Sequence, residues 1–443
     1  MKAVEAVRDV EAVIEETVND SIEYLDPSLA FFIRGTLGDV VEWEAEGCYV
    51  TDLRGDKYLD ALAFMGVFGL GHRHPEVVKA VKDQLDRIPL HARYFFNKPA
   101  ANLAKLLAEI SPGNLKYSFI CNSASEAVDV AIKLARLTSG RKEVIGTHEA
   151  YHGVTIGALS ITGMKHFTDG IGPLLEDSAL VPYGDIKSLE KAASDKTAAI
   201  FLEPVHAGLG TYVPPDGYFQ EVRKLCDKHG IFLVADETQT GLGRTGKMFG
   251  MEHYGVAPDM MTLGKTLSGG VIPIGCCMYT QEIAEKASER LVFNTSTFGG
   301  GELACAAAKT TIEIMLRDNL PEQVKEKGEY FGNELAKLKN DFPQFIHKVR
   351  GIGLMWTIEF ATEIQCLVVF LEMLRKHRVI VAPHVDKHEW MRISPPLIAE
   401  KPELNKIINA FKESFKTLAQ MGKKELEEFA EAYQFATQQK KEE

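Results

Sequence analysis

Between about residues 100 and 280, short and wholly apolar segments alternate with amphipathic ones, and this alternation leaves the chain few folds to choose from. KYSFIC (116–121), EVIGT (143–147), AAIFLEP (198–204), IFLVADE (231–237), DMMTLGK (259–265) and GCCMYT (275–280) are too short for helices. They also lack the alternation of a strand with one wet face. Between them, LAKLLAEI (103–110), SEAVDVAIKLARLTSG (125–140) and FQEVRKLCDKHG (219–230) have helical spacing, the last two closing on glycine. Strands that are apolar on both faces need cover on both faces. The pattern therefore predicts an α/β fold whose mostly parallel sheet lies between helices.

Outside this block the pattern changes. WEAEGCYVTDLRGDKYLDAL (43–62) has strand-like runs broken at Gly47 and Arg54-Gly55-Asp56, which predicts a hairpin or meander. From about 320, longer helical stretches such as QVKEKGEYFGNELAKLK precede GLMWTIEF, VIVAP and MRISPP, a smaller α+β domain. The expected division is an N-terminal segment at 1–60 belonging with the smaller domain, a large domain at 61–320, the rest of the small domain at 321–421, and a charged tail at 422–443. Residues 1–20 read as an acidic helix. A net charge of −12 lacks the basic face of a nucleic-acid binder. Seven scattered cysteines argue for a reducing compartment rather than a disulfide framework. The N-terminus has no apolar signal core, and no stretch approaches the ~18 uncharged apolar residues of a membrane span, so a cytoplasmic location is expected.

Two short motifs fail on context. His148-Glu149-Ala150-Tyr151-His152 fits HExxH, but two imidazoles four residues apart share a metal only on a helix. Here the segment follows a strand and is flanked by Gly146 and Gly153, so no metal site is predicted. Gly241-Leu242-Gly243-Arg244-Thr245-Gly246 fits GxGxxG, but it starts too far past its strand and no long apolar helix follows. It reads as a flexible loop.

The chemistry lies at strand ends, where open α/β sheets bind ligands. Asp236 closes the apolar run IFLVAD, and Lys265 closes DMMTLGK. A buried carboxylate wants a cation or donors, and a partly buried lysine becomes nucleophilic. Pyridoxal 5'-phosphate would satisfy both, taking the lysine as a Schiff base and setting its protonated ring nitrogen against the carboxylate.

With these residues in place, the sequence resembles the class III, ω-amino-acid type aminotransferases among the fold type I pyridoxal phosphate enzymes. The resemblance runs from about 40 to 415 and rests on IFLVADETQTGLGRTGKMF and PDMMTLGKTLSGG, with LGHRHP, LKYSFICNSASEA, YHG, FLEP, STFGG and MRISPPL in the family's order. PLHARYFF and SPGNLKYSFICNS are most similar to its putrescine (diamine) branch.

The resemblance implies a seven-stranded sheet, a homodimer with shared active sites, a diamine or ω-amino donor, and pyruvate or 2-oxoglutarate as the 2-oxo acid acceptor. It implies that Lys265 forms the Schiff base and carries the proton, and that Asp236 pairs with the ring nitrogen. Gln239 would bond the ring hydroxyl, Tyr151 would stack on the ring beside His152, and Thr238 would lie beneath it. Ser123, Ala124 and Ser125 would meet the phosphate at a helix N-terminus, where the Ser125 hydroxyl would join the backbone N–H groups. Glu203 would join the cofactor-binding set, and Thr297 would reach the neighbouring subunit's phosphate. Arg392 would grip a substrate carboxylate, while Met65, Val67 and Phe68 would wall the substrate pocket.

Two departures stand out. Where many relatives carry a glutamate that pairs with the arginine, this chain has Gly208, with His206 two residues earlier. FGGGELAC also replaces the usual FGGNPLAC. The residues leave open an acetylornithine, ornithine or 4-aminobutyrate type aminotransferase, and a racemase, aminomutase or decarboxylase on the same scaffold. A non-catalytic dimeric binding protein is the reading from another class; the intact Asp236, Gln239 and Lys265 argue against it.

Overall fold

The computed structural model describes residues 9–92, 94–422 and 424–429. Its strands in chain order are β1 (Glu42–Glu46), β2 (Tyr49–Asp52), β3 (Lys57–Asp60), β4 (Leu115–Cys121), β5 (Glu143–Thr147), β6 (Ser178–Val181), β7 (Thr197–Leu202) and β8 (Phe232–Asp236). They continue with β9 (Met260–Leu263), β10 (Gly275–Thr280), β11 (Ile346–Ile352), β12 (Met355–Phe360), β13 (Val379–Ile380), β14 (Ala382–Pro383) and β15 (Trp390–Ile393). A seven-stranded sheet in the order β4-β10-β9-β8-β7-β5-β6 forms the centre. β9, β8, β7, β5 and β6 are parallel, and β10 runs antiparallel to both its neighbours. Every residue of β7 and β9 is buried, which is the double-sided cover that their unbroken apolar sequences require.

The helix Ala124–Ser139 shows how local signals set an element. Ser123 caps it by accepting from the Glu126 N–H, and Gly140, at φ 71°, ends it in the left-handed conformation that glycine adopts at little cost. Its buried face, from Ala127 to Ala135, packs with Val144, Ala199, Val234 and Cys277 of the sheet.

Two smaller sheets run β1-β2-β3-β13 and β11-β12-β15-β14. The meander expected at 43–62 is present as β1 to β3. VIVAP, which reads as one strand, is split: Val379–Ile380 runs parallel to β3, while Ala382–Pro383 pairs with β15. The N-terminal meander is thereby stitched to the C-terminal region.

GLGRTG requires a correction. It is not a flexible loop: all six residues are buried, and Arg244 is 1% exposed. The Arg244 Nη1 donates to the carbonyls of Leu354 (2.9 Å) and Pro395 (2.5 Å), so a single guanidinium bridges two C-terminal segments to the turn after β8.

The FGGGELAC departure has a physical account. Glu302 opens the helix Glu302–Arg317, where a negative charge suits the helix dipole, and its buried carboxylate lies 3.5 Å from His91 Nδ1. At the N-terminus the first helix spans Val10–Tyr24 with Asp9 as its cap; residues 1–8 of the expected helix lie outside the described residues. In the expected tail, 424–429 is helical, and Leu426 and Phe429 pack on the core; 430–443 lie outside the described residues.

β10 runs close under the start of the helix Ala124–Ser139, and a Cβ at Gly275 would overlap the Ser123 carbonyl. Gly275→Ala should therefore cost about 1–3 kcal/mol of stability, measured by urea denaturation, as overpacking against backbone does.

Candidate active site

A cavity of about 650 Å³ lies at the carboxyl ends of the parallel strands. Lys265, Asp236, Gln239, Thr238, Tyr151, His152, Glu203, Ser123, Ala124 and Ser125 all line it. The two residues singled out at strand ends therefore share one wall, because β8 and β9 are parallel neighbours with Asp236 opposite Thr262.

Asp236 ends β8 with both oxygens engaged. Its Oδ2 lies 2.7 Å from His152 Nδ1, and its Oδ1 accepts from Thr262 Oγ1 (2.9 Å) and the Thr238 N–H (3.1 Å). Burial alone would raise its pKa, but the hydrogen bond and charge of His152, with Thr238, hold it below the usual value. For His152 burial acts downward, and the bond to Asp236 overrides it and raises the imidazole. The pair is a buried carboxylate–imidazolium, with His152 Nε2 left without a protein partner.

Lys265 follows Gly264 at the end of β9. Its φ of 45° is a conformation L-residues avoid, at a cost of about 1–2 kcal/mol. Burial, helped by the positive charge of Arg392, pushes its amine down to about 8, against the pull of Asp236 and Glu203. The uncharged, nucleophilic form is thus far better populated near neutral pH than for an ordinary lysine.

Ala124 begins the helix Ala124–Ser139 and does not have positive φ, so alanine is unstrained there. The Ser125 hydroxyl accepts from the N–H groups of Val154 (3.0 Å) and Thr155 (3.2 Å). It thereby draws the Tyr151–Thr155 loop onto the helix N-terminus. Gly153 is needed at that contact, because a Cβ there would overlap the hydroxyl.

Glu203 is buried with its charge disfavoured, and burial raises its pKa. Its oxygens accept from the Ala207 N–H (3.1 Å) and, more weakly, the Tyr151 N–H (3.4 Å). Tyr151 is 38% exposed on the cavity wall, edge-on to Phe167. His148 is exposed, while His152 faces Asp236 within a loop, so the HExxH histidines do not converge.

Three expected residues stand off the wall. Phe64, Val67 and Phe68 line the cavity, but Met65 does not, which corrects its assignment. Ala63, Phe64 and Met65 have φ of 48°, 46° and 58°, and this left-handed turn presents Phe64 instead. Arg392 reaches the cavity through Gln239, its Nη2 donating to the Gln239 Oε1 at 3.1 Å. Thr297 is exposed, and its neighbour Ser296 bonds the side chain of Asn122. Sequence reasoning missed Asn122, Gly153 and the Gly270–Ile274 wall, of which the Gly269-Gly270 turn was the one visible signal.

These residues fit pyridoxal phosphate. An ionised buried carboxylate suits a cationic ring nitrogen, and an aromatic platform and a β-branched residue flank the cavity. The helix N-terminus suits a phosphate. Two buried polar atoms on the wall, His152 Nε2 and Thr238 Oγ1, have no protein partner.

The pair also sets a pH dependence. His152, raised above 6.5, contributes stability fully below that pH and loses it as pH rises through the raised value. Asp236, lowered below 3.8, contributes above that pH and loses it only as pH falls through the lowered value. Denaturation of the cofactor-free chain should thus show stability declining as pH rises above 6.5. His152→Asn should abolish that slope and cost about 3 kcal/mol at mildly acidic pH.

Known proteins resemble this chain in sequence and in fold. The profile of aminotransferase class-III matches residues 36–415. The chain is 40% identical to a putrescine aminotransferase of Pectobacterium atrosepticum over 93% of its own length and 90% of the relative's. Among solved structures, an (S)-enantioselective omega-transaminase from Thermomicrobium roseum aligns with a TM-score of 0.85 at 29% identity, covering 91% of this chain and 98% of that one. The ornithine aminotransferase of Toxoplasma gondii aligns at 0.84 and 28%, covering 92% and 96%. Among the described residues no helix is long and apolar enough to cross a membrane. The chain belongs to the class-III aminotransferases, pyridoxal phosphate-dependent transaminases of the fold type I architecture.

Proposed function

We propose that this transaminase moves an amino group from a diamine or ω-amino donor, putrescine-like, to a 2-oxo acid such as pyruvate or 2-oxoglutarate. The observation that carries the reading is the shared wall of Lys265 and the Asp236–His152 pair, with likeness to a putrescine aminotransferase pointing to the donor class. Pyridoxal phosphate, when bound, supplies an aldehyde that condenses with amines and a ring that withdraws electrons.

The chain's residues do the rest. The Lys265 amine, lowered to about 8, would hold the cofactor's aldehyde end and, once an incoming substrate amine displaces it, would take and return the proton at the substrate carbon. Asp236, kept ionised by His152, would keep a cofactor ring nitrogen protonated. Tyr151 and Thr238 would flank the ring, Gln239 would meet its oxygen, and Ser123, Ala124 and Ser125 would anchor the phosphate. Phe64, Val67 and Phe68 offer an aliphatic donor an apolar wall. In this reading the site sits in a large domain at 61–320, with 1–60 and 321–421 forming the small one.

A cytoplasmic homodimer belongs to the same proposal. Phe95, Phe96, Leu291 and Phe298 are largely exposed, and the last two flank Thr297 in sequence; these surfaces suit a second copy.

The test is a panel of amines mixed with loaded enzyme and no acceptor. A donor should shift the cofactor absorbance and hold it shifted until a 2-oxo acid restores it. A racemase or decarboxylase would return to its starting spectrum without acceptor, and that outcome would overturn the proposal. Lys265→Ala should lower turnover by at least about 10⁴-fold, the scale expected on losing a nucleophile that is also the proton carrier. Borohydride should then leave no cofactor mass on the peptide containing position 265.

A further inference from the structure

Phe64, Val67 and Phe68, the apolar wall of the cavity, belong to one loop, and the fold holds that loop at three points. It leaves β3 at Asp60 and returns at His72, and these two residues close its base: the His72 Nε2 lies 2.9 Å from the Asp60 Oδ2, with both side chains buried. The other Asp60 oxygen accepts from the N–H groups of Leu62 (3.0 Å) and Ala63 (2.7 Å). Those bonds hold the entry to a turn in which three consecutive residues, Ala63, Phe64 and Met65, keep the left-handed φ that side chains resist. On the C-terminal side, Ser394 Oγ donates to the Leu62 carbonyl and the Leu397 N–H to the Gly69 carbonyl, both at 2.8 Å. The third point is Thr266, the residue after Lys265. Its buried hydroxyl donates to the Gly66 carbonyl at 2.6 Å. Its methyl fills the space that a side chain at 69 would take, since a Cβ on Gly69 would lie 2.4 Å from the Thr266 Cγ2. Phe68 is clamped as well, its ring centroid 4.0 Å from that of His72 and its edge against Gly270, where a Cβ would overlap it.

We propose that Thr266 is a positioning residue that sets which donor lengths the enzyme accepts. Its hydroxyl ties the wall loop to the backbone that carries Lys265, so one buried hydrogen bond fixes the separation between the reacting amine and the wall. Lys265 has φ 45° and opens the short 3₁₀ helix Lys265–Ser268 that presents Thr266. The left-handed lysine and the left-handed triplet of the loop are therefore braced on the same contact. An unbranched donor whose chain matches the separation fills the cavity. A shorter one leaves apolar surface unburied, and a longer one must push the wall. The inference rests on the transaminase reading above and adds the element that measures the donor.

The experiment mixes loaded enzyme, without acceptor, with unbranched diamines of increasing chain length. The rate of the cofactor absorbance change, followed against donor concentration, separates half-saturation from limiting rate. Hydrogen exchange of the peptide spanning 61–70 reports on the loop in the same samples. The wild-type enzyme should favour one length. Thr266→Val keeps the side-chain shape and removes the hydroxyl. It should reduce that preference by about three- to tenfold, the worth of one neutral hydrogen bond, through half-saturation rather than limiting rate, and should speed exchange at 66–69. Thr266→Ser keeps the hydroxyl and should retain both properties. Gly69→Ala wedges the same contact from the loop side without removing a hydrogen bond; it should also flatten the preference, and it carries the test if the valine variant does not fold. A wild-type enzyme indifferent to length, equal losses for every length or unchanged exchange in Thr266→Val, or a preference lost in Thr266→Ser, overturns the proposal while the transaminase reading stands. If no amine shifts the absorbance, that reading itself fails, and exchange alone decides whether the hydroxyl ties the loop.

Discussion

A carboxylate buried at the end of an apolar strand costs several kcal/mol unless donors and a cation meet it. At Asp236 the imidazole of His152 meets it at 2.7 Å, and two threonines complete its bonding. Much of the surrounding geometry follows from that pairing. To bring His152 under the strand end, the chain after β5 must turn sharply, and Glu149 at φ 60° and Gly153 at φ 124° make the turn. The same turn carries Tyr151 to the cavity wall and brings Val154 and Thr155 to the Ser125 hydroxyl. One buried ion pair thus couples the floor of the site to the helix N-terminus across from it.

The second constraint is Arg244. A guanidinium buried without an anion needs carbonyls, and it finds those of Leu354 and Pro395. Burial lowers its pKa to about 10, so it keeps its charge at physiological pH. Pro395 lies three residues from Arg392 on the segment leaving β15. The buried turn after β8 therefore fixes Gln239 at one end and the C-terminal strand bearing Arg392 at the other, which is how residues 153 apart in sequence come within 3.1 Å.

The central sheet was legible because its strands are apolar on both faces, a pattern that only double-sided burial explains. β6 was not, since SALV is four residues long with three partly buried. VIVAP gave no sign of its break, because which sheet a residue joins depends on partners far away in sequence. Asp236 and Lys265 could be read from charge at the end of apolar runs, and Gln239, Tyr151 and Ser125 through the family resemblance. Met65 was misplaced because neighbouring apolar residues look alike in sequence, and only the left-handed turn at 63–65 decides which of them faces the cavity. The burial of GLGRTG was hidden for a related reason: a glycine-rich turn looks the same in sequence whether it meets water or an arginine's carbonyl partners.

The contact at Gly208 shows how a backbone constraint sets the charge of a site. The carbonyl that bars a side chain there belongs to Glu149, inside the turn that delivers His152 to Asp236. Restoring an acid at 208 would require that carbonyl to move. The chain keeps its cofactor-facing charge fixed through His152, and leaves Arg392 to a neutral amide whose oxygen faces the guanidinium and whose hydrogens face the cavity. In the proposed reading, selectivity for the donor falls to the apolar wall of Phe64, Val67 and Phe68, where size and shape discriminate rather than charge.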